Sequence, residues 1–402
     1  MTSHIAHSFM PHPQRAHAGF TLVEIMVGLT IGMLASLVVM QVFSVFEAQK
    51  RATTGAADST TNGSIALFKI GRDVNQAGYT LMPVSQTDSP LMCGTALNLV
   101  QPVEPISIDP AVAAIVTGIS PIIITDGAAG ASDSILIRYG DSLRGGAVSI
   151  IQGAPAVNPV TLRSNFGCVL GDITILIDNS GINCDISSVV APAPLPPPAP
   201  VLGTPTPATL VSLNAITNPT ITPATAQNGS LACLGGWHEV TYSVSAANIL
   251  QRQDTGVPPA LVEPTVDGIV SLQAQYGISA NPSSNAVVQW VDAVNGQASG
   301  NWGNAMSRDE RNRIKAVRIA VVARDAKMEP ANVTNPCSST TAPAPTGLCA
   351  WDATSVAPPI ASPAPTFSLA AANANWQRYR YRVFETIFPI RSVIFAQPTL
   401  LP

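Results

Sequence analysis

The sequence predicts an α+β fold in which a long N-terminal helix packs on a β-rich globular head with long proline-rich insertions. Three observations support this prediction. An almost uncharged apolar run occupies 20–46, a polar segment with helical spacing of apolar residues follows to position 78, and short strand patterns recur through 79–402. The 402 residues include 35 prolines and only 11% charged residues. This composition suits an extracytoplasmic protein with long loops better than a charged cytosolic enzyme.

The apolar run is long enough to cross a membrane. From Phe20 to Phe46 its only ionisable side chain is Glu24. A helix of this length spans about 40 Å, and the hydrocarbon core of a bilayer is about 30 Å thick. A charge at the centre of a bilayer costs at least about 2.5 kcal/mol, and less near a helix end, where Glu24 lies. A carboxylate kept in such a segment is a candidate functional residue.

The residues in front of the run separate two interpretations. The first interpretation is a secretory signal peptide or a signal anchor, and a signal peptide would have an apolar region about half as long, with a small-residue cleavage site after it. Here the small residue, Gly19, stands before the run, in the motif Gly19-Phe20-Thr21-Leu22-Val23-Glu24. This motif resembles the cleavage and methylation motif of type IV prepilins. The resemblance implies a type IV pilin-like fold, a 1–19 leader that a prepilin peptidase removes by cutting after Gly19, and N-methylation of Phe20.

The same resemblance implies a role for Glu24. Cleavage would give Phe20 a positively charged amine in or near the membrane, where opposite charges attract more strongly than in water. In the family, this carboxylate pairs with the amine during assembly, within or between subunits. The alternative is that Glu24 merely lies at the level of the lipid headgroups.

A polar helix is predicted to continue the apolar segment through 47–78 and to cover the head. Its second half has apolar residues at helical spacing, namely Ile65, Leu67, Phe68, Ile70 and Val74. Gly55 and Gly63, together with several threonines, weaken the middle of this stretch and predict a bend or a melted turn near 53–63. Gly78 ends the helical pattern.

The head, 79–402, is predicted to be β-rich, with insertions near 185–230 and 331–370. Seven segments have the composition of strands, namely 119–125, 134–139, 173–178, 239–244, 286–291, 314–324 and 381–387. In 314–324 large apolar residues alternate with Arg318 and Ala320, which predicts one buried face. The proline-rich stretch 192–207 is expected to be an extended spacer or surface loop.

The six cysteines indicate disulfides rather than a metal or redox site. The sequence has no CxxC pair and no histidine at ligand spacing from a cysteine. An even number of cysteines outside the cytoplasm favours disulfides. Sequence alone does not resolve the pairing, but proximity favours Cys337 with Cys349 and Cys168 with Cys184, which leaves Cys93 with Cys233.

No catalytic constellation is recognisable, so the sequence predicts a protein that is not an enzyme and binds no cofactor or metal. It has no nucleophile elbow, HExxH motif or P-loop. The segment 178–185 carries oxygen ligands without EF-hand spacing and is interpreted as a turn. His238, the one histidine beyond the leader, is interpreted as an ordinary strand residue. The basic residues within 308–315 are interpreted as a solvated turn, and the net charge of −4 predicts no general nucleic-acid surface.

Further motifs resemble PilW-type minor pilins. They are Asn62-Gly63-Ser64-Ile65-Ala66-Leu67, Arg72-Asp73-Val74 and Ala77-Gly78-Tyr79, then the segments 266–269, 273–277, 316–324, 381–384 and 390–392. Ser392 replaces the asparagine expected in the last of them. The order of these segments along the chain, more than any one of them, supports the resemblance, which leaves the middle of the chain uncovered.

The resemblance implies a minor pilin that joins other minor pilins to prime type IV pilus assembly and sits at the pilus tip, supporting twitching motility, adhesion or DNA uptake. The segment 20–46 would serve as transmembrane and filament-core helix. The implied partners are the prepilin peptidase, other minor pilins, the major pilin and a tip adhesin. The implied location is the bacterial inner membrane, as a single-pass protein with a periplasmic head, and then the pilus.

Two alternatives stay open. A type II secretion pseudopilin would share the motif and the helix but would drive protein export. A tip binding module would use its head to contact DNA or a host receptor, and exposed aromatic and basic residues around one insertion would favour it.

Overall fold

The computed structural model describes residues 19–81, 98–99, 119–152, 159–164, 167–191, 210–214, 216, 221–256, 259–297, 299–303, 306–340, 344–351, 364–370 and 373–396. The chain divides into two units, residues 1–54 and 55–402. The first contains the apolar helical segment and the second contains the β-rich head, which confirms the α+β prediction.

Helix α1 extends over Leu22–Val74 without a break. The melted turn predicted near 53–63 is therefore wrong. Glycine and threonine lower helix propensity by at most about 1 kcal/mol per residue, and contacts with the head outweigh that cost in residues 55–74. After Val74 the chain turns, and Gly78 adopts a φ of 70°, a conformation that favours glycine.

The head side of α1 carries a buried apolar stripe. Ala66, Ile70 and Val74 are buried, and Ala77 continues the stripe in the following turn. Leu67 is half-buried against this core. Ile65 and Phe68, predicted to belong to the stripe, are instead 40% and 72% exposed. They lie off the i, i+4 series of the buried residues, so the stripe is narrower than the sequence pattern indicated.

Gly63 and Gly71 are weak helix formers, but their lack of a side chain leaves room for aromatic rings of the head. An added Cβ at Gly63 would overlap the ring of Phe384, and one at Gly71 would lie 2.6 Å from Cε1 of Phe388. Since Phe384 and Phe388 both lie on the helix-facing side of one strand, the missing side chains let helix and sheet approach closely.

The described residues form sixteen strands in chain order: β1 Asn98–Leu99, β2 Ile122–Thr125, β3 Ser134–Gly140, β4 Val148–Ile150, β5 Val160–Thr161, β6 Ile173–Ile177, β7 Cys184–Val190, β8 Leu210–Leu213, β9 Ser230–Gly235, β10 Trp237–Val244, β11 Ile249–Asp254, β12 Val262–Asp267, β13 Ile269–Ser279, β14 Val287–Val291, β15 Ile314–Met328 and β16 Tyr379–Pro389. All seven predicted strands are among them. Three short helices are α2 Pro223–Ala226, α3 Arg308–Arg313 and α4 Arg391–Phe395.

The strands form three sheets. A four-stranded sheet has the order β14-β13-β15-β16, and a five-stranded sheet has the order β12-β11-β10-β3-β2. A seven-stranded sheet follows the path β4-β9-β6-β7-β8-β5, with β1 paired in parallel to β7. The main core contains the α1 stripe together with residues from all three sheets.

Strand β15 is buried on both faces, so the prediction of a single buried face is wrong. Arg318 is almost fully buried, with its guanidinium 5.1 Å from the ring of Trp290 and 4.6 Å from the ring of Trp351. Its Nε donates a 2.5 Å hydrogen bond to Oε1 of Gln275. Burial lowers the pKa of Arg318 to about 10. Trp351 belongs to the predicted 331–370 insertion, so this insertion covers the outer face of the sheet.

The disulfides confirm one predicted pair and correct another. Cys337 is bonded to Cys349, as predicted. Cys168 is bonded to Cys233 rather than to Cys184, so both the Cys168–Cys184 and the Cys93–Cys233 pairings are wrong. The prediction relied on the short distance in sequence between Cys168 and Cys184. In the fold, the loop that carries Cys168 packs in the same core cluster as Cys233 of β9. Cys184 is also disulfide-bonded, and Cys93 lies outside the described residues.

The predicted insertions are partly described. The 185–230 region contributes most of β7, the strand β8 and helix α2, so it supplies sheet as well as loop. The proline-rich stretch 192–207 lies outside the described residues. In the 331–370 region, Leu348 and Leu369 pack against Val322 of β15.

Candidate functional site

The N-terminal motif forms a capping box at the start of α1. The backbone N–H and the hydroxyl of Thr21 each donate a 3.0 Å hydrogen bond to Oε2 of Glu24. In return, the backbone N–H of Glu24 donates to Oγ1 of Thr21 at 3.3 Å. This reciprocal pattern satisfies N–H groups that a helix start otherwise leaves unpaired, and such a cap is worth about 1 kcal/mol.

The cap determines where the helix begins. Thr21 is the N-cap and Leu22 is the first helical residue, so Gly19 and Phe20 lie outside the helix and are exposed. The bond between Gly19 and Phe20 is therefore in non-helical backbone. The Thr-x-x-Glu spacing was present in the sequence as a capping-box signature, and our sequence interpretation of Glu24 as a charge alone missed it.

The apolar segment that follows is exposed along its length. Leu22–Glu47 has a mean hydropathy of 2.3 and none of it is buried within the structure. Its hydroxyl groups are satisfied within the helix, because Thr30, Ser36 and Ser44 donate to carbonyls of the preceding turn at 2.8–2.9 Å. By length and composition, this segment can cross a membrane.

In the head, Asp73 anchors the end of α1 to the five-stranded sheet. Its carboxylate is buried, and Oδ2 accepts hydrogen bonds from Oη of Tyr242 at 2.8 Å and from Nε of Arg252 at 2.9 Å. Its Oδ1 accepts from Nε of Arg72 at 3.1 Å. Burial raises the pKa of Tyr242, and the nearby charge of Asp73 raises it further. Asp73 therefore connects the helix to two adjacent strands, β10 and β11.

The anchor extends to His238 in β10. Arg252 also lies 3.6 Å from Asp254, and Oδ2 of Asp254 lies 2.8 Å from Nδ1 of His238. On the other side of the ring, Nε2 of His238 is 3.7 Å from Oδ2 of Asp141. The hydrogen bond to Asp254 raises the pKa of His238, against the opposing effect of burial. His238 is a strand residue, as predicted, but it also bridges two carboxylates.

The candidate calcium loop is a hydrogen-bonded turn, as predicted. Oδ1 of Asp178 accepts from the hydroxyl of Ser180 at 2.7 Å and from the backbone N–H groups of Ile182 and Asn183. Its Oδ2 accepts from the Asn183 side chain at 2.7 Å. Protein donors thus occupy both oxygens. Within the described ranges, no three His, Cys, Asp or Glu side chains are placed to hold a metal ion.

The basic segment 308–315 is not the solvated turn that we predicted. It forms α3, which begins with a capping box between Ser307 and Glu310, and the start of β15. Arg311 and Lys315 are buried, and Nζ of Lys315 donates a 2.8 Å hydrogen bond to the carbonyl of Pro282. Burial lowers the pKa of Lys315 to about 8. Arg311 and Lys315 are therefore part of the packed interior of the head and not of a solvated surface.

Two protein families match parts of this chain. The family described as prokaryotic N-terminal methylation motif matches residues 14–40, which include Gly19, Phe20 and Glu24. The family described as Type IV Pilus-assembly protein W matches residues 242–392, from within β10 to the start of α4. No curated protein and no solved structure matches the chain.

The matched ranges agree with part of the resemblance described above. The segments at 266–277, 316–324 and 381–392 fall inside the second match, whereas the Asn62–Tyr79 motifs, including Asp73, lie between the two. Together the two matches support a PilW-type pilin, a type IV pilus protein with the N-terminal methylation motif.

Proposed function

We propose that this chain is a minor pilin that joins other minor pilins to prime type IV pilus assembly and then sits at the pilus tip. The observation that carries the proposal is the methylation motif, which lies in front of an exposed, capped apolar helix. Pilin-family domains are structural, and we propose no catalytic activity for this one. Its head would support twitching motility, adhesion or DNA uptake through the filament that it helps to start.

Processing would begin at the Gly19–Phe20 bond. The prepilin peptidase would cut this bond and methylate the new amine of Phe20. The backbone at Gly19 and Phe20 is non-helical, so no hydrogen bond within a helix has to break for the peptidase to reach this peptide bond. Before assembly, the apolar segment would hold the chain in the bacterial inner membrane with its head in the periplasm.

Glu24 would then have two roles. Its Oε2 accepts both hydrogen bonds from Thr21, whereas its Oε1 accepts none from the described residues. One oxygen can therefore cap the helix while the other pairs with the methylated amine of Phe20 in a neighbouring subunit. In a medium of low dielectric constant this attraction is strong, and it would favour insertion next to another minor pilin or the major pilin.

The test is a clean deletion complemented with the wild type, Glu24→Ala or Glu24→Gln, scored for surface pili and for secreted protein in the same cultures. Glutamine can still accept from Thr21 but carries no charge, so it isolates the charge from the cap. We expect the deletion to lose pili and twitching with secretion unchanged, and we expect neither variant to restore them. Restoration by Glu24→Gln alone would leave the cap as the only role of Glu24.

A different result would change the assignment. Intact pili with lost secretion would identify a type II secretion pseudopilin and would refute the pilus proposal. Intact pili that no longer adhere or take up DNA would favour a tip binding module, whose head contacts its ligand directly.

A further inference from the structure

Three exposed cations lie together at one end of the four-stranded sheet. Arg380 and Arg382 are two residues apart on β16, so their side chains leave the same face about 7 Å apart. Lys327 lies in the irregular part of β15 that pairs with this end of β16. We refer to these three residues as the basic patch; all three are exposed.

Among the described residues, acidic side chains neutralise the basic patch only in part. Arg380 forms an ion pair with Glu329, with Nε and Oε1 2.8 Å apart. The side chains of Lys327 and Arg382 form no ion pair with any residue that the structure describes. The nearby Asp325 is buried, and it accepts a hydrogen bond from the backbone of Lys327, not from its ammonium. This positive charge is notable in a chain whose net charge is −4.

The position of the basic patch in the head points to a ligand. Along β16, Phe388 lies against Gly71 and Phe384 lies against Gly63. The N-terminal end of β16 is therefore at the same end of the head as the N-terminal part of the helix segment that packs on it. Asp325, on the neighbouring strand, lies against Gly55, the first residue of the head. The patch is therefore at the end of the head where the chain enters, and in sequence the apolar segment ends at Glu47, eight residues earlier.

We infer that the basic patch binds anionic lipid headgroups while the chain is anchored in a membrane. The phosphate of such a headgroup would accept hydrogen bonds from the guanidinium groups of Arg380 and Arg382, which are suited to phosphate oxygens. Each Lys or Arg close to an anionic membrane surface strengthens its binding by about fivefold. The inference rests on the membrane anchoring contained in the proposed function, and it adds a contact that holds the head before the chain is extracted.

The test uses the full chain in lipid nanodiscs made of phosphatidylcholine alone or mixed with anionic phosphatidylglycerol. Hydrogen exchange of the β16 amides measures how much of the head is docked. We expect exchange to be slower in the anionic discs for the wild type and for a matched control, Arg163→Gln/Arg391→Gln, which removes two exposed arginines elsewhere. In Arg380→Gln/Arg382→Gln, the ratio of docked to undocked protein should fall by about 25-fold.

Equal exchange rates in the two kinds of disc would overturn the inference, as would an equal response of the control and the patch variant. If an acidic peptide or short single-stranded DNA slows the same exchange and anionic discs do not, the basic patch binds a different polyanion and the lipid assignment is wrong. Failure of the wild-type chain to remain in any disc would instead contradict the anchoring step of the proposed function.

Discussion

Replacing Asp73 by alanine should loosen α1 from the head. Asp73 is buried at the junction of α1 with two strands, and its Oδ2 accepts hydrogen bonds from both Tyr242 and Arg252. Burial by itself would lower the pKa of Arg252, but its hydrogen bond to Asp73 and the charge of Asp73 raise that pKa above its usual range. The substitution would leave a half-buried guanidinium and a buried hydroxyl without their shared acceptor.

The magnitude follows from the surroundings of Arg252. Breaking a buried ion pair costs about 3–5 kcal/mol. Only 2% of the Asp73 side chain is exposed, but 16% of the Arg252 side chain is, and Arg252 keeps Asp254 at 3.6 Å and Glu263 at 3.9 Å. We therefore expect Asp73→Ala to lower the free energy of unfolding by about 3 kcal/mol. Tyr242→Phe removes the hydrogen bond to the charged acceptor Asp73 and a longer one, at 3.2 Å, to the carbonyl of Lys69, and it should cost about 1.5 kcal/mol.

The assay is urea-induced unfolding of the full chain in detergent, followed by near-ultraviolet and far-ultraviolet circular dichroism. Asp73→Asn is the matched control, since it keeps the shape and an acceptor oxygen but removes the charge, and should cost about half as much as alanine. The double variant Asp73→Ala/Tyr242→Phe should be little worse than Asp73→Ala alone, because the two residues share one hydrogen bond. A loss below about 1 kcal/mol for Asp73→Ala, or fully additive losses, would refute the anchor.

Three further predictions concern the head. Because the pKa of His238 is raised, its protonated form stabilises the fold at pH values below its ordinary pKa of about 6.5. This stabilisation is lost as the pH rises through the raised pKa. His238→Gln should therefore flatten the pH dependence of the urea-unfolding midpoint. Gly71→Ala should destabilise by about 1–3 kcal/mol in urea unfolding, because the added Cβ meets Phe388 at 2.6 Å. Peptide mapping without reduction should recover Cys168 joined to Cys233, and replacing both by serine should cost about 4 kcal/mol by loop entropy.

Each of these predictions has its own control and contrary result. Burial raises the pKa of Asp133 to about 7, so Asp133 also lowers stability as the pH rises above the ordinary pKa of an aspartate. Only the difference between wild type and His238→Gln therefore reports on His238. Gly28→Ala, where an added Cβ meets nothing within 4 Å, should not lower stability, because alanine is also the better helix former. Equal losses of stability in the two glycine variants would contradict close packing at Gly71. Recovery of a Cys168–Cys184 peptide would contradict the observed pairing.

Elements with a local signal were predicted well. The long helix, the motif at Gly19–Glu24 and all seven predicted strands are present, because hydrophobic periodicity and capping are properties of neighbouring residues. Strands such as β11 and β12 were missed. Their residues are polar and partly exposed, and they pair at the edge of a sheet, so they lack a strong alternating pattern.

The errors involve partners that are distant in sequence. Arg318 looked exposed because arginine usually is, but Trp290, Trp351 and Gln275 surround it from other strands and from the insertion. Cys168 was paired with a sequence neighbour because loop length was the only available guide.

The sequence by itself determined the N-terminal methylation motif, the apolar segment and the β-rich head, since each depends on composition and spacing along the chain. Only the tertiary structure decided that Asp73 anchors the helix through Arg252 and Tyr242, that His238 bridges two carboxylates, and that Cys233 pairs with Cys168. The physical reason is that a buried charge or thiol is satisfied by whichever group the fold brings close, and sheet pairing brings together residues that are far apart in the sequence.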